Sequence, residues 1–252
     1  VVVMTNKKID LSTIIIARNE EKTIGECIES VDWTDEVIVI DNNSTDKTFQ
    51  TAISKGARGF KYQVQNFSEV RNFGARQAKG EWLFYVDADE RVTPLLKKEI
   101  ESRIMNNESR MSAYAISRRN ILLGHEMKYG GWWPDYVLRL IKKSALKGYT
   151  GELHEQPEVA GKVGKLEEPF VHITHESLTE MVDKTNEWSE VEARLLFKSG
   201  HPKMNLPRFF SAAFREFWYR AVKKMGFLDG PVGIIEIIYQ MFSRTITYAK
   251  LW

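Results

Sequence analysis

Residues 11–46 read LSTIIIARNEEKTIGECIESVDWTDEVIVIDNNSTD, and this stretch decides the fold class. Two runs that are rich in β-branched residues, 11–17 and 36–40, are predicted to be strands. A helical stretch lies between them and ends near Ser30. A strand, a helix and a second strand in this order predict a βαβ unit with parallel strands.

The alternation of strands and helices continues along the first half of the chain. The apolar strands are nearly continuous, as expected where helices cover both faces of a sheet. We therefore predict an α/β fold built on a mostly parallel sheet that is flanked by helices. The further predicted elements are a helix at 46–55, a strand at 58–62, a helix at 68–79, a strand at 82–86 and a helix at 94–105.

The composition of the 252 residues excludes several classes of protein. Lys and Arg number 36 and Asp and Glu 34, and the net charge of +2 argues against a dedicated nucleic-acid binder. The single Cys27 excludes a disulfide framework and a Cys-based zinc cluster. Neither a signal peptide at the start nor a membrane-spanning helix is expected, because no sufficiently long apolar run is present.

Polar clusters follow directly after three of the predicted strands. They are Arg18-Asn19-Glu20, the segment 41–46 (DNNSTD) and the segment 87–90 (DADE). In open parallel sheets, ligands bind beyond the carboxyl ends of the strands. We therefore expect the three clusters to meet in one crevice.

The crevice has no glycine loop for phosphates. The chain contains neither G-x-G nor the G-x-x-x-x-G-K-[ST] pattern. A metal is the alternative, because Asp87 and Asp89 project to the same side of an extended segment. Two such carboxylates suit Mg²⁺ or Mn²⁺ that bridges a diphosphate.

At this point the sequence resembles a known family. The runs LSTIIIARNEE, EVIVIDNNSTDKT and RNFGARQAKGEWLFYVDADE, within residues 10–100, look like the nucleotide-sugar half of family 2 glycosyltransferases, which have the GT-A fold. The runs GGWWPDYVLRLIKK, GELHEQ and PFVHITHESL resemble bacterial lipopolysaccharide-core glucosyltransferases. The resemblance implies an inverting, metal-dependent transfer of a hexose from a nucleotide diphosphate, UDP above all, to a surface glycan such as lipopolysaccharide core.

The resemblance also assigns residues to the donor site. It implies that Asp41 contacts the base, Arg71 the base or the diphosphate, and Asp87 the ribose. It implies that Asp89 holds Mn²⁺ or Mg²⁺ and that His172 completes the metal shell. The implied nucleotide-binding set is Ala17, Arg18, Asn19, Glu20, Asp41, Asn43, Arg71, Asp87 and Ala88.

Inverting transfer needs a base that takes the proton of the attacking acceptor hydroxyl, and a carboxylate is the usual choice. We favour Glu155, which lies in GELHEQP just before a proline, in a region where the resembling enzymes place an acidic base. Asp135 is the second candidate. The carboxylates considered belong to the pairs His125-Glu126, His154-Glu155 and His175-Glu176 and to Asp135.

The acceptor side is predicted from an aromatic loop. Trp132 and Trp133 form either a platform for a sugar ring or anchors in the core. Asp135 follows in the same loop. Arg139 alternates with apolar neighbours in VLRLI, and it reaches either the crevice or solvent.

The composition changes near residue 178, where a C-terminal helical extension begins. Its helices are predicted at 179–198 and from 209 to the end, with a break at 226–233. From Lys203 onwards it is aromatic and basic, which is typical of helices that lie on a membrane surface. Packing on the catalytic domain or a dimer interface is the alternative. The predicted organisation is a catalytic domain at 1–178, with a nucleotide half at about 10–110 and an acceptor half at about 111–178, and an extension at 179–252.

Two other functions remain open at this stage. A nucleotidyltransferase shares the α/β plan and the carboxylate–metal chemistry, but it normally carries a glycine-rich loop where this chain has ARNEEKT. A scaffold that kept the fold and lost turnover is the second alternative. As an enzyme of lipid-linked glycans, the protein is expected to be cytoplasmic and peripheral on the inner face of the membrane, with a homo-oligomer as an option.

Overall fold

The computed structural model describes residues 9–64, 66–106, 110–151 and 155–252. Contacts divide the chain into two compact units. The first unit consists of the residues up to Arg118 together with Tyr136–His172, and the second consists of Arg119–Asp135 and Ile173–Trp252. The functional division near residue 178 stays a prediction.

The first unit begins with the parallel sheet that the sequence predicts. Ile14 on β1 lies opposite Ile38 on β2 and opposite Tyr85 on β4, and all three side chains are fully buried. Helices cover both faces, which explains why the strands are apolar throughout. The elements are β1 (Leu11–Ala17), α1 (Ile24–Ser30), β2 (Glu36–Asp41), α2 (Thr48–Ser54), β3 (Arg58–Lys61), α3 (Phe67–Gln77) and β4 (Trp82–Asp87).

The parallel register brings strand ends together. At the end of β1, Ala17 lies opposite Asp41 of β2, and Ile16 lies opposite Asp87 of β4. Asp41 and Asp87 therefore flank the carboxyl end of β1 on its two sides. This confirms the expectation that polar clusters of neighbouring strands meet at one edge of the sheet.

Later strands extend the sheet, mostly in the antiparallel direction. The order is β3-β2-β1-β4-β8-β6-β12-β5, β7 and β11 also pair with β6, and β9 and β10 form a separate two-stranded sheet. The predicted strands 113–118 and 136–141 lie inside β6 and β8. The elements are β5 (Glu90–Arg91), α4 (Pro94–Met105), β6 (Met111–Leu122), β7 (His125–Glu126), β8 (Asp135–Lys142), β9 (Leu146–Thr150), β10 (Gln156–Val159), β11 (Lys162–Lys165) and β12 (Phe170–His175).

Three helices dominate the second unit: α5 (Leu178–Lys198), α6 (Leu206–Phe217) and α7 (Gly230–Leu251). Side chains cap the first two, since Ser177 accepts from the N–H of Glu180 and Asn205 from that of Arg208. Among the described residues, no helix combines the length and the apolar character that crossing a membrane requires.

The predicted break at 226–233 is shorter in the structure, where a tight turn ends at Asp229 and residues 230–233 already belong to α7. A π-helical turn (Trp218–Lys223) follows α6, and a 3-10 turn (Gly226–Asp229) leads into α7. A Cβ at Gly233 would lie 2.0 Å from the carbonyl oxygen of Gly226, so only glycine allows this close approach of the two backbones.

A buried carboxyl in α7 makes stability depend on pH. Glu236 Oε1 accepts from Gln240 at 2.7 Å and lies 3.9 Å from Arg220 Nη1. Burial outweighs both contacts and raises the pKa of Glu236 to about 7. The folded state therefore holds a proton that the unfolded state loses at lower pH, so stability falls as the pH rises from about 4.5 to 7.

Glu236→Gln is expected to remove this pH dependence. Above pH 7 the free energy of unfolding of the variant should exceed that of the wild type by on the order of 3 kcal/mol, so the variant should unfold at a higher temperature. The difference should vanish below about pH 4.5. Thermal unfolding from pH 4 to 8 measures it. Glu190→Gln is the matched control, because Glu190 is 74% exposed. Parallel curves for wild type and Glu236→Gln would contradict the prediction.

Candidate active site

The loops that follow β1 and β2 hold each other in place. Asn19 Oδ1 accepts from the backbone N–H of Thr45 at 2.8 Å, and Ser44 Oγ accepts from the N–H of Asn19 at 2.9 Å. Asn19 and Asn43 take left-handed φ angles of 58° and 64°, which asparagine tolerates better than most residues. The contacts of Asn19 give it a role in shaping the loop. Nucleotide contacts of Ala17, Arg18, Asn19, Glu20 and Asn43 stay predictions.

An open pocket of about 190 Å³ lies beside these loops. Asp41 and Asn43 line it from the β2 end, and the contact of Asp41 with a base stays a prediction. Tyr62, also in its wall, stacks on Phe73 with ring centroids 4.2 Å apart. The pocket residues at the end of β3 were not predicted from the sequence, although the strand-end rule applied to β3 predicts them. The full lining is Asp41, Asn43, Ser44, Lys61, Tyr62 and Gln63.

Arginines and carboxylates form a buried cluster at the end of β4. Arg71 Nη2 donates to Asp87 Oδ1 at 3.0 Å, and Arg71 Nε donates to Glu155 Oε1 at 2.9 Å. Arg139 donates to both oxygens of Asp87 and also to Glu90 Oε1 at 2.9 Å. Arg71 is 7% exposed and Arg139 5% exposed. Two buried guanidinium groups therefore fix the orientation of Asp87.

The charges of this cluster determine its protonation. Burial alone would raise the pKa of Asp87, but Arg139 and Arg71 hold it well below its ordinary value. Burial raises the pKa of Glu90, Arg139 lowers it, and the negative charge of Asp87 raises it further. Arg118 lies 3.7 Å from Glu90 and adds a third positive group. Asp87 is thus kept ionised in a half-buried position.

Asp89 and His172 lie together beside this cluster. Asp89 Oδ2 is 3.3 Å from His172 Nε2, because β5 pairs with β12 and sets Glu90 opposite His172. Burial opposes the charged imidazole ring, but Asp89 raises the pKa of His172. Asp89 Oδ1 is buried and has no hydrogen-bond partner among the described residues. The pair was predicted from sequence, and the structure brings it together.

This arrangement fits a cation that the protein holds with few ligands. Within the described ranges, no group of three or more His, Cys, Asp and Glu side chains is placed around a metal position. Mg²⁺ and similar cations are often held by one or two carboxylates, with substrate phosphates and water as the other ligands. The unpartnered Asp89 Oδ1 is the oxygen that such a cation would satisfy.

The candidate bases occupy different surroundings. Glu155 joins the Arg71–Asp87 cluster in the first unit, whereas Asp135 belongs to the second unit, where Asn120 Nδ2 lies 3.4 Å from its Oδ2. The remaining His-Glu pairs have other contacts: His125 lies 3.8 Å from Asp229, and His175 lies 3.3 Å from Glu180. His154 lies outside the described residues.

The residues predicted for the acceptor divide into two groups. Trp132 packs against Leu122 and Met127, which agrees with the core-anchor alternative, whereas Trp133 is 44% exposed. Arg139 lies at the crevice rather than in solvent, hydrogen-bonded to Asp87 and Glu90. A contact of any of these residues with an acceptor stays a prediction.

The family is decided by a match over more than half of the chain. The family model described as "Glycosyl transferase family 2" matches residues 12–162, which run from within β1 to the first residue of β11 and contain Asp41, Asp87 and Asp89. The chain is a family 2 glycosyltransferase. The resemblance stated from the motifs is thereby confirmed, and sugar transfer is favoured over the nucleotidyltransferase alternative.

Two relatives that match nearly all of this chain come from bacteria. The lipopolysaccharide core biosynthesis glycosyltransferase LpsC of Rhizobium meliloti is 28% identical, over 97% of this chain and 93% of the relative. An uncharacterised glycosyltransferase of Rickettsia typhi is 29% identical, over 96% of this chain and 86% of the relative.

A solved structure confirms the predicted fold of the glycosyltransferase. Glucosyl-3-phosphoglycerate synthase of Mycobacterium tuberculosis, in complex with Mn²⁺ and UDP-glucose, superposes with a TM-score of 0.50 and 19% identity. The match covers 77% of this chain and 80% of the synthase. The glycosyltransferase therefore has the GT-A fold that the sequence predicts, with helices at its C-terminal end.

Proposed function

We propose that this glycosyltransferase moves a hexose from a UDP-linked donor to a lipid-linked surface glycan, such as lipopolysaccharide core, with inversion at the anomeric carbon. The observation that carries the proposal is the buried, unpartnered Oδ1 of Asp89, with His172 beside it and the Arg71–Asp87–Arg139 cluster next to it. The relative named for core biosynthesis and the fold neighbour bound to Mn²⁺ and UDP-glucose support it.

Asp89 and His172 would hold a divalent cation, Mn²⁺ or Mg²⁺. When bound, the cation supplies charge neutralisation to the diphosphate that leaves with the nucleotide. Burial suits this role, because electrostatic interactions strengthen where water is excluded. Arg71 supplies a second positive group on the same side of the sheet.

The nucleotide would lie along the strand ends. The pocket bordered by Asp41 and Tyr62 is of a size and polarity to take a uracil, with Asp41 as hydrogen-bond acceptor for its ring N–H. Asp87 would meet the ribose, and the backbone at Ala88 would lie alongside the donor. Arg139 contacts Asp87 directly, so its role in the proposal is to position that carboxylate.

Glu155 would serve as the general base. The acceptor hydroxyl attacks the anomeric carbon, the bond from that carbon to the diphosphate oxygen breaks, and the hydroxyl proton passes to Glu155. Arg71 occupies Oε1 of Glu155, so Oε2 is the oxygen that we assign to the proton. The exposed Trp133 is the aromatic surface that we assign to the acceptor sugar.

Calorimetric titration with UDP, GDP and dTDP, each with and without Mn²⁺, tests the donor class. UDP is expected to bind most tightly, and Mn²⁺ should improve its affinity by about tenfold or more, which corresponds to about 1.4 kcal/mol. A different preferred nucleotide would replace the UDP assignment. Equal binding with and without Mn²⁺ would contradict the role given to Asp89 and His172.

A further inference from the structure

Helix α6 carries an apolar stripe that no described part of the chain covers. Leu206, Phe210, Phe214 and Trp218 follow one another at intervals of four and are 54–67% exposed. Residues at this spacing share one side of a helix. The opposite side contains the buried Ala212 and faces the rest of the unit. We call these four residues the α6 stripe.

The α6 stripe continues into the turns beyond the helix. Ala221, three residues after Trp218, would lie on the same side of a regular α-helix, but it is buried because the π-helical turn changes the phase of the chain. Exposed apolar side chains follow in these turns, and α7 adds a second row at intervals of four. Folded monomers rarely expose so much apolar surface without a binding partner. The additional exposed residues are Val222, Met225, Phe227 and Leu228 in the turns, and Ile234, Ile238 and Phe242 on α7.

The exposed charge of residues 203–252 has a single sign. All three acidic side chains of this segment are withdrawn from full exposure and contact internal donors. Glu216 pairs with Arg220 at 2.6 Å, Glu236 also faces Arg220, and Asp229 accepts from the backbone N–H of Tyr129 at 2.8 Å. The exposed charged residues of the segment are all basic: Lys203, Arg208, Arg215, Lys223, Lys224 and Lys250.

We propose that the α6 stripe and the exposed basic residues around it dock the enzyme on an anionic lipid bilayer. An amphipathic helix with aromatic residues on one side and lysine or arginine around them sits in the headgroup region of such a membrane. Each lysine or arginine side chain near the membrane surface is attracted by the anionic headgroups. A second copy of this chain fits this surface less well. Its residues 203–252 would present the same lysine and arginine side chains and no exposed acidic side chain to pair with them.

Flotation of the full chain with lipid vesicles tests the proposal. Vesicles of phosphatidylcholine with about 30% phosphatidylglycerol should retain the enzyme, and pure phosphatidylcholine should retain it at least about tenfold less. Phe210→Ser with Phe214→Ser should lower the partition coefficient by about tenfold or more, because two aromatic side chains lose their insertion. Lys223→Glu with Lys224→Glu should weaken binding and make it less sensitive to salt.

Matched controls separate docking from folding and from catalysis. Leu95→Ser removes an aliphatic side chain of similar exposure from α4 and should bind vesicles like the wild type. Asp89→Ala should also bind normally, so the test does not depend on the donor site. Circular dichroism checks that each variant is folded. If the wild type does not bind anionic vesicles, the proposal is overturned. It is also overturned if the wild type is a dimer in solution and the double variant Phe210→Ser with Phe214→Ser is a monomer.

Discussion

Asp89→Ala is expected to abolish sugar transfer and the Mn²⁺ dependence of UDP binding while the protein stays folded. Oδ1 of Asp89 is buried and has no hydrogen-bond partner in the part of the chain that the structure describes, so in the protein alone it contributes a desolvation cost and no compensating bond. Its removal ends this cost but also deletes the 3.3 Å contact of Oδ2 with His172, so we expect the thermal midpoint in metal-free buffer to change little. The loss of a residue that served only the fold would lower the midpoint.

The Asp89 measurement has three readouts: transfer rate, UDP affinity with and without Mn²⁺, and thermal unfolding. Asp32→Ala is the control, because Asp32 is an exposed aspartate after α1 whose loss should change none of them. We expect Asp89→Ala to lower transfer by a factor of at least about 10³, the scale on which electrostatic stabilisation of a developing charge acts. Retained Mn²⁺-dependent binding would remove Asp89 from the site.

Glu155→Gln is expected to lower the turnover number by a factor of about 10² to 10⁴, with donor affinity nearly unchanged. Glutamine keeps a side-chain oxygen that can accept the 2.9 Å hydrogen bond from Arg71, so the cluster around Asp87 should persist. It has no basic oxygen to take the acceptor proton. The loss should therefore appear in the chemical step and not in binding.

Asp135→Asn is the matched variant for this prediction. Asp135 lies in the second unit, whereas Glu155 and Arg71 lie in the first. We therefore expect Asp135→Asn to leave the contact between Glu155 and Arg71 unchanged. Single-turnover rates and calorimetric donor affinities for both variants decide between the two carboxylates. Near-normal turnover of Glu155→Gln, together with a large loss for Asp135→Asn, would transfer the role of base to Asp135.

Local sequence patterns were sufficient to predict the parallel sheet. The runs 11–17, 36–40 and 82–86 are short, apolar and β-branched or aromatic, and each precedes a helix, so their pairing follows from the βαβ rule. The strand-end rule then placed Asp41 and Asp87 at one edge. Strand β12 was missed, because PFVHITH alternates polar and apolar residues only briefly.

The buried cluster was beyond the reach of local patterns. Arg139 meets Asp87 across a separation of 52 residues, and Arg71 meets Glu155 across 84. A sequence shows which residues can form ion pairs, but the choice among many arginines depends on sheet order. Strands β4 and β8 are neighbours in the sheet, and their pairing brings Arg139 to the end of β4. The only local indication of this role in the sequence was a charged residue within an apolar strand.

The family, the α/β class and the carboxylates at the strand ends could be predicted from the sequence, because strand periodicity and motif order are local properties of the chain. Tertiary structure alone decided which groups share a buried site and which face solvent. In the C-terminal helices the sequence shows bases, acids and aromatics mixed together. Tertiary contacts withdraw the three acids: Glu216 pairs with Arg220, Asp229 accepts from the backbone N–H of Tyr129, and Glu236 is buried. The aromatic stripe and the basic side chains stay outside, because a buried carboxyl costs free energy unless internal donors or a proton compensate it.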